Sequence, residues 1–479
     1  YRKLNSVWKV SKTAWNPTVH VNNVMSNFVL HDLIDAEFKY LKPAWTALTT
    51  HGKTITKNGK TSIQKSKLVE AATKYGVFDA DFVTQELKNI KVGSKFPYAF
   101  NDKLDPFNNS VNAAKGIYDD VLNKNILTQL TNFYRFEDAV FRLSVFQDRI
   151  AKGFSYSDAA LDARRAFIDY NIDAPAINWM RNTITPFLAY TYRIIPILAE
   201  TAIVRPWKYA KYAALGYGLN QMGDLVGGGD QEAERALMPE RKQGSFFGMP
   251  FLPYRSIKIP VAPDDEGNPY YMDFTRFVPG GDIFDLGNPG IPGLPAPFQP
   301  SFGLGGEILF PMLGYDLFRG EKIKGQTGMF KEDMPIRLNA IKDKLVPNIP
   351  FLPGSYSSQK LEKTRKGIDS PFVPEQSELT ALMQTLGFKI EKAELDKLKT
   401  GKVYELKRKL KGYEEQINKF RNDYRKGLVN RETAKTKIDE IAKRMRELAE
   451  EYGIAFEKAT YSQPKEPFES VKGLFERQN

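Results

Sequence analysis

The chain has 479 residues, 42% of them hydrophobic, no cysteine and a formal net charge of +12. That is enough apolar material for roughly two to four structural units, and it excludes a disordered tail. The missing cysteines exclude disulfides, zinc-thiolate sites, iron-sulfur clusters and a thiol nucleophile, while the basic balance points to an anionic partner such as DNA, RNA, acidic lipid headgroups or an acidic protein ring.

The chain opens on Tyr1, with no initiator methionine and no charged-then-apolar leader, as expected for a piece of a longer polypeptide. The first region, 1–92, is expected to combine an extended opening with short helices. Trp8, Trp15 and the Asn16-Pro17 pair mark the extended part, because the residue before proline is pushed out of the helical region, and a first helix follows over 23–41. His20, His31 and His51 are the only histidines; His20 and His31, eleven apart, could share one side of a helix, but no metal set is completed around them, so they read as structural. Two Gly-Lys-Thr triplets begin at Gly52 and Gly59. Ala47 and Thr54 stand where a phosphate-cradling loop needs its first glycine, so this stretch reads as a polar turn or hairpin and not a nucleotide site.

The second region, 93–222, reads as helical. Apolar residues at spacings of three and four, from Ile126 through Phe133, Phe136, Val140 and Leu143 to Phe146, predict a long helix or a broken pair ended by Gly153. Ser155 or Ser157 caps the next helix, which runs to Tyr170. Arg142, Arg149, Arg164 and Arg165 alternate with Glu137, Asp138, Asp148, Asp158 and Asp162, a pattern that reads as a solvated face with pairs four apart.

Residues 178–222 carry the most information. They read almost throughout as an apolar and aromatic helical face, yet Pro186, Arg193, Pro196 and Glu200 interrupt the window in which about 20 apolar residues would make a membrane span. Arg193 and Glu200 share a face, so the segment is amphipathic. Three readings are open: a core or subunit-interface helix with proline kinks, a segment lying on or entering a bilayer with Arg205, Trp207, Lys208, Tyr209, Lys211 and Tyr212 as headgroup anchors, or a helix on a nucleic-acid backbone. The residues expected at a membrane or partner contact are Trp179, Arg181, Phe187, Tyr190, Tyr192, Arg193, Arg205, Trp207 and Lys208.

The third region, 223–374, changes character. Between residues 223 and 354 lie 20 of the 35 glycines and 17 of the 29 prolines, too dense for long helices and too aromatic for a flexible linker. Within it, Ile257, Ile259 and Val261 alternate against Tyr270, Met272 and Phe274 across an acidic turn, the pattern of a small β-hairpin. Asp264, Asp265 and Glu266 lack the ladder of a calcium loop and read as that turn. The stretch after it is expected to wrap a neighbouring surface, with Phe284, Leu286, Phe298, Phe302 and Phe310 as plugs. In the fourth region, 375–479, short helices are expected over 375–386 and 392–399, then an αα-hairpin over 403–426 and 431–452 with Gly427 as stop and Asn430 as cap. Its one-sided apolar stripe needs a further surface to cover it.

Catalytic constellations are scarce: no histidine follows position 51, and no serine sits in a Gly-x-Ser-x-Gly elbow. A carboxylate pair such as Glu137 with Asp138 is indistinguishable from surface charge at this level. No catalytic residue, metal or cofactor is assigned.

The order FIDYNIDAPAINWMRNTITPFLAYTYRIIPILAE, VRPWKYAKY, YYMDFTRFVPGGDIFDL, PSFGLGGEI and TLGFKI, across about 163–390, resembles the helical tract of large polyvalent virion proteins of tailed bacteriophages. The resemblance covers about half of the chain and rests on aromatic and proline patterns. It implies an internal virion (ejection) protein, packed near the portal and ejected with the genome to help DNA cross the host envelope. The partners it implies are copies of itself and portal or core proteins; DNA and anionic membrane are the anionic partners in view. Its implied location is the virion interior, then the host envelope. A capsid or portal-vertex protein that is never ejected, and the non-catalytic part of a virion-packaged enzyme polyprotein, are the alternatives. The expected architecture is mainly α: an elongated multi-helix assembly with a Gly/Pro-rich irregular segment containing a small β-hairpin and a C-terminal αα-hairpin.

Overall fold

The computed structural model describes residues 2–57, 60–82, 125–172, 174–183, 185, 188–238, 256–274, 277–279, 303–316, 321–323, 325–345, 355–366, 377–388 and 390–461. The chain is mainly helical, as expected. It divides into two compact units: unit 1 comprises Tyr1–Tyr212, Thr275–Glu362 and Gln384–Gly387, and unit 2 comprises Ala213–Phe274, Lys363–Met383 and Phe388–Asn479.

Unit 1 opens with helix α1 (Arg2–Lys12) and helix α2 (Pro17–Leu33), where an extended stretch was expected. The Asn16-Pro17 pair starts a helix. Asn16 keeps the extended backbone that proline demands of its predecessor, its side chain accepts from the Thr18 N–H, and Pro17 occupies the first turn, where its missing N–H costs nothing. Trp8 is thereby buried. After α3 (Leu41–Thr50), strands β1 (Thr54–Lys57) and β2 (Lys60–Ile63) pair antiparallel, with Ile55 opposite Ser62, and Ser66 caps α4 (Lys67–Lys74).

The centre of unit 1 is α5 (Asn125–Ala151), against which α2, α3, α4 and α6 (Tyr156–Ala166) pack. Phe136, Phe141, Leu143, Val145 and Phe146 on α5 meet Leu30 and Leu33 of α2, Leu48 of α3, Val69 of α4 and Ala159, Ala160 and Ala163 of α6. The run of alanines lets α6 approach closely. Gly153, at φ +89, ends the α5 connection and Ser155 caps α6. Helix α6 stops at Ala166, four residues short of Tyr170, because Ile168 takes a left-handed backbone at φ +65. There follow α7 (Pro175–Thr183), α8 (Leu188–Val204) and α9 (Pro206–Gly227), the last of which continues into unit 2.

Later in unit 1, α11 (Gly303–Met312) packs on α1 and on α12 (Phe330–Leu345), and two short strands, β5 (Tyr315–Asp316) and β6 (Glu321–Lys322), pair antiparallel. The 16-residue α12 corrects the expectation that this region holds no long helix. Its Pro335 forfeits a backbone bond near the start, while Asp333 accepts from the N–H groups of Thr327 and Gly328. Of the proposed plugs, Phe310 lies on α11; Phe284, Leu286, Phe298 and Phe302 fall outside the described residues.

In unit 2, β3 (Ser256–Lys258), β4 (Tyr270–Asp273) and β7 (Ile390–Lys392) form an antiparallel sheet in the order β3-β4-β7, with Met272 between Ile257 and Ile390. Strand β7 stands where a helix over 392–399 was expected to begin. Between β3 and β4, Asp264 accepts from the N–H groups of Glu266 and Asn268 and pairs with Lys392 at 2.8 Å, which accounts for the acidic turn without an ion. Helix α10 (Gln231–Leu237), capped by Asp230, packs on α15 (Leu395–Arg425) and α16 (Arg431–Tyr461). Helix α15 is one continuous helix of 31 residues in place of two pieces. Gly427, at φ +71, and Asn430, accepting from the Thr433 N–H at 2.7 Å, make the turn into α16. Ile441 and Tyr452 are buried along this pair, and Leu395 and Leu398 are covered by Ala233 and Leu237 of α10. Helices α13 (Tyr356–Arg365) and α14 (Glu378–Thr385) complete the described elements.

Candidate membrane-contact site

Helix α8 is apolar on two sides. Thr191, Ile194, Ile197, Leu198 and Thr201 recur three and four apart and are buried, with Ile194, Ile197 and Leu198 joining the core around α5. Thr201 is compatible with burial because its hydroxyl donates back to the Ile197 carbonyl at 2.8 Å. On the opposite side Tyr192, Ile195, Ala199 and Ile203 are spaced three and four apart and exposed. The stripe continues into Val204 and, across the α8–α9 corner, into Trp207; Ile203 is 81% and Trp207 60% exposed. Glu200 at its edge accepts from Arg165 at 2.6 Å.

What holds this corner is a carboxylate on α2. Asp32 is buried and accepts from Lys208 Nζ at 3.1 Å, from Lys211 Nζ and from the Tyr212 hydroxyl at 3.0 Å, all on the first two turns of α9. Burial alone would raise its pKa, but the hydrogen bonds from Lys211, Lys208 and Tyr212 outweigh that and hold the carboxyl below the usual aspartate range. Lys208 also pairs with Asp35 at 3.1 Å, and Arg205 donates to the Leu33 carbonyl at the end of α2. Tyr209 donates to the Leu198 carbonyl at 2.9 Å, tying the two helices together, and burial pushes its hydroxyl up to about 12.

The residues expected at a contact thus divide. Trp179, Tyr192 and Trp207 are exposed. Tyr190 is half-buried against the α5 core, and Arg181 is buried, donating to the Tyr170 carbonyl at 3.0 Å. Arg193 is half-buried and donates to the Asn171 carbonyl. Arg205 and Lys208 are tied to the end of α2, Lys208 through the carboxylates of Asp32 and Asp35 and Arg205 through the Leu33 carbonyl. Phe187 falls outside the described residues.

The alternating charges on α5 are not a solvated face. Arg142 is 1% exposed, and Asp148, Glu137, Asp138 and Arg149 are buried with it. Arg142 Nε donates to Asp138 at 2.6 Å while its other nitrogens reach the carbonyls of Arg164, Phe167 and Ile168, capping the end of α6. Asp148 pairs with Arg149 at 2.6 Å and Lys152 at 2.9 Å. Glu137 faces His20, whose Nδ1 lies 2.9 Å from its oxygen and whose Nε2 lies 2.8 Å from the Ala14 carbonyl, so the carboxylate partner of His20 comes from α5. Burial raises Glu137 and Asp138 alike, with His20 and Arg142 working against it. Each acid is hydrogen-bonded to its own partner on another element or turn, so the two act as struts between helices.

A second buried constellation in unit 2 went unread in the sequence. Lys258 on β3 donates to the Gly228 carbonyl and to Glu234 at 3.2 Å, and Tyr271 donates to the same Glu234 oxygen at 2.6 Å. Gly223 on α9 permits this approach, since a Cβ there would stand 2.2 Å from the Lys258 carbonyl oxygen. The glycine-rich GGG at 227–229 beside Asp230 was the available signal. Among the described residues no three His, Asp or Glu side chains gather as a metal site, and no helix is long and apolar enough to cross a membrane. No family model, no curated protein and no solved structure matches this chain.

Proposed function

We propose that the chain is a structural internal virion protein of a tailed phage, packed with copies of itself near the portal and ejected with the genome, and that its α8–α9 corner meets the host bilayer during DNA passage. The observation that carries the membrane contact is the outward stripe Tyr192, Ile195, Ala199, Ile203 and Trp207, an apolar surface left facing away from the core it was free to join. Helix α8, with 17 residues, is about 26 Å long, so it suits lying at the interface rather than spanning the hydrocarbon. The virion setting rests on the resemblance of its sequence to polyvalent virion proteins.

Flotation of the full chain with neutral and with anionic liposomes, in the presence of competitor DNA, tests it. The proposal expects co-flotation that survives DNA and is lost in the double variant Ile195→Asp, Ile203→Asp, both at exposed positions whose replacement leaves the core intact. Absence of flotation, with sedimentation velocity showing oligomers that the same double variant dissociates, would replace the bilayer with a subunit interface and leave a capsid or portal-vertex protein that is not ejected.

A further inference from the structure

Residues 38–69 span α3, the β1–β2 ribbon and the start of α4. They hold seven lysines and no aspartate or glutamate, and so carry +7 of the chain's +12. Lys39 and Lys65 meet acids just outside that run, Glu37 at 2.5 Å and Glu70 at 3.8 Å, in exposed pairs of small energetic weight. Lys42 and Lys67 are exposed and form no ion pair. The ribbon is firmly rooted. At its base the Gly52 N–H donates to the Gln64 carbonyl and the Gln64 N–H to the Lys53 carbonyl, both at 2.8 Å, and the Ser66 N–H donates to His51 Nδ1 at 2.9 Å. Beyond that base it pairs with no third strand. Its register sets Lys57 directly opposite Lys60 at the outer end, and the two-residue period of a strand puts Lys53 on the same face.

Two local rules are broken here. Like charges facing each other across an antiparallel pair are destabilising, and a cation on the first residue of a helix, as Lys67 is on α4, meets the positive end of the helix dipole. Neither placement helps the fold, which marks a surface kept for something outside it. Guarding a free strand edge takes a charge or two and not an acid-free run of 32 residues. We infer that the β1–β2 ribbon and the root it shares with α4 bind the phosphate backbone of duplex nucleic acid, with the ribbon laid in the major groove. A two-stranded ribbon is one of the elements that groove admits, and strands of four residues, about 13 Å long, suit a groove about 12 Å wide and 8.5 Å deep. Thr54 and Ser62 are exposed beside the lysines and supply hydroxyl donors for phosphate oxygens. A bilayer fits less well, because the ribbon carries two apolar residues, Ile55 and Ile63, too few to insert. Contacts to phosphate are blind to base sequence. The inference rests on residues 38–69 alone, so liposome flotation of the α8–α9 corner succeeds or fails independently of it.

The test is fluorescence anisotropy of labelled short duplex DNA titrated with the full chain over a range of salt concentrations. The triple variant Lys57→Gln, Lys60→Gln, Lys67→Gln is expected to weaken binding for several sequences alike. It should also reduce the slope of log K against log salt by about 3, at roughly 0.9 for each phosphate no longer neutralised. A charge-matched control, Lys435→Gln, Lys437→Gln, Lys443→Gln at exposed positions of α16, should retain the wild-type slope. The single variant Lys60→Glu separates binding from folding. It turns the like-charged cross-strand pair into an opposite one, so the urea midpoint of unit 1 should hold or rise while DNA binding falls. No binding by the wild type at low salt, an unchanged slope in the triple variant, or undiminished binding by Lys60→Glu would overturn the inference. So would loss of binding to anionic vesicles in the triple variant with DNA binding intact, which would assign the ribbon to lipid.

Discussion

Arg142 offers the sharpest probe of how unit 1 is held together. It is 1% exposed, is the hydrogen-bonding counter-charge of the buried Asp138, and satisfies three carbonyls at the end of α6, including that of Ile168 in its left-handed conformation. Replacement by Met keeps the stem packed but strands the aspartate, a change that costs roughly 3–5 kcal/mol for a broken buried pair. Orphaned carbonyls add to this at about 1 kcal/mol or more each where water cannot reach them. A total of about 4 kcal/mol or more is expected for Arg142→Met, and about 2 kcal/mol for Arg142→Lys, which keeps the charge but lacks the planar fork. The double variant Arg142→Met, Asp138→Leu should cost less than the sum of its parts, with a coupling of about 2 kcal/mol, because no charge is then left unpaired. All five tryptophans lie in residues 1–212, so tryptophan fluorescence during urea unfolding follows unit 1 alone. A destabilisation below about 1 kcal/mol for Arg142→Met, or strict additivity in the cycle, would refute the reading of α5 as a buried charged strut.

Buried positions elsewhere carry the other predictions. His31 is fully buried, stacked on Phe38 at 4.9 Å with Nε2 2.9 Å from Ser144, and burial pushes it down to about 4 from 6.5. The unfolded chain therefore binds the proton first, so the stability of unit 1 falls as pH drops through the window from 6.5 to 4. The contribution reaches about 3 kcal/mol, and His31→Asn should show a shallower loss of urea midpoint over that window than the wild type; equal pH profiles would contradict it. In unit 2, Gly223→Ala should destabilise by about 2 kcal/mol, since its Cβ would meet backbone at 2.2 Å, whereas Gly412→Ala on α15, with nothing within 4 Å, should stabilise by about 1 kcal/mol. Far-UV circular dichroism in urea distinguishes the two, and a stabilised Gly223→Ala would refute the close approach of α9 to β3.

What was legible in the sequence was local. Apolar spacing found α5, and short-range capping chemistry found Ser155, Gly427 and Asn430, because each of these signals is contained in a few consecutive residues. The buried charges were not legible. On α5 the alternation of Arg142 and Arg149 with Glu137, Asp138 and Asp148 has the same spacing as a solvated face, and only the distant partners reveal burial: His20 for Glu137, the end of α6 for Arg142. Asp32 and Lys208 lie 176 residues apart, so the pairing of the start of α9 with α2 could not be read locally. Helix α15 runs through Gly401, between the pieces expected over 392–399 and 403–426, because packing along α10 and α16 outweighs the roughly 1 kcal/mol that glycine costs in a helix.

The α8–α9 corner is the centre of the account, and Trp207 reports on it directly. Quenching of tryptophan emission by lipids brominated along their chains, added as vesicles to the full chain, reads the depth of the side chain in the bilayer. Quenching is expected in the wild type and should be largely removed by Trp207→Phe, with Trp8 silent because it is buried. Wild-type emission untouched by brominated vesicles, or quenching that persists in full in Trp207→Phe, would contradict it.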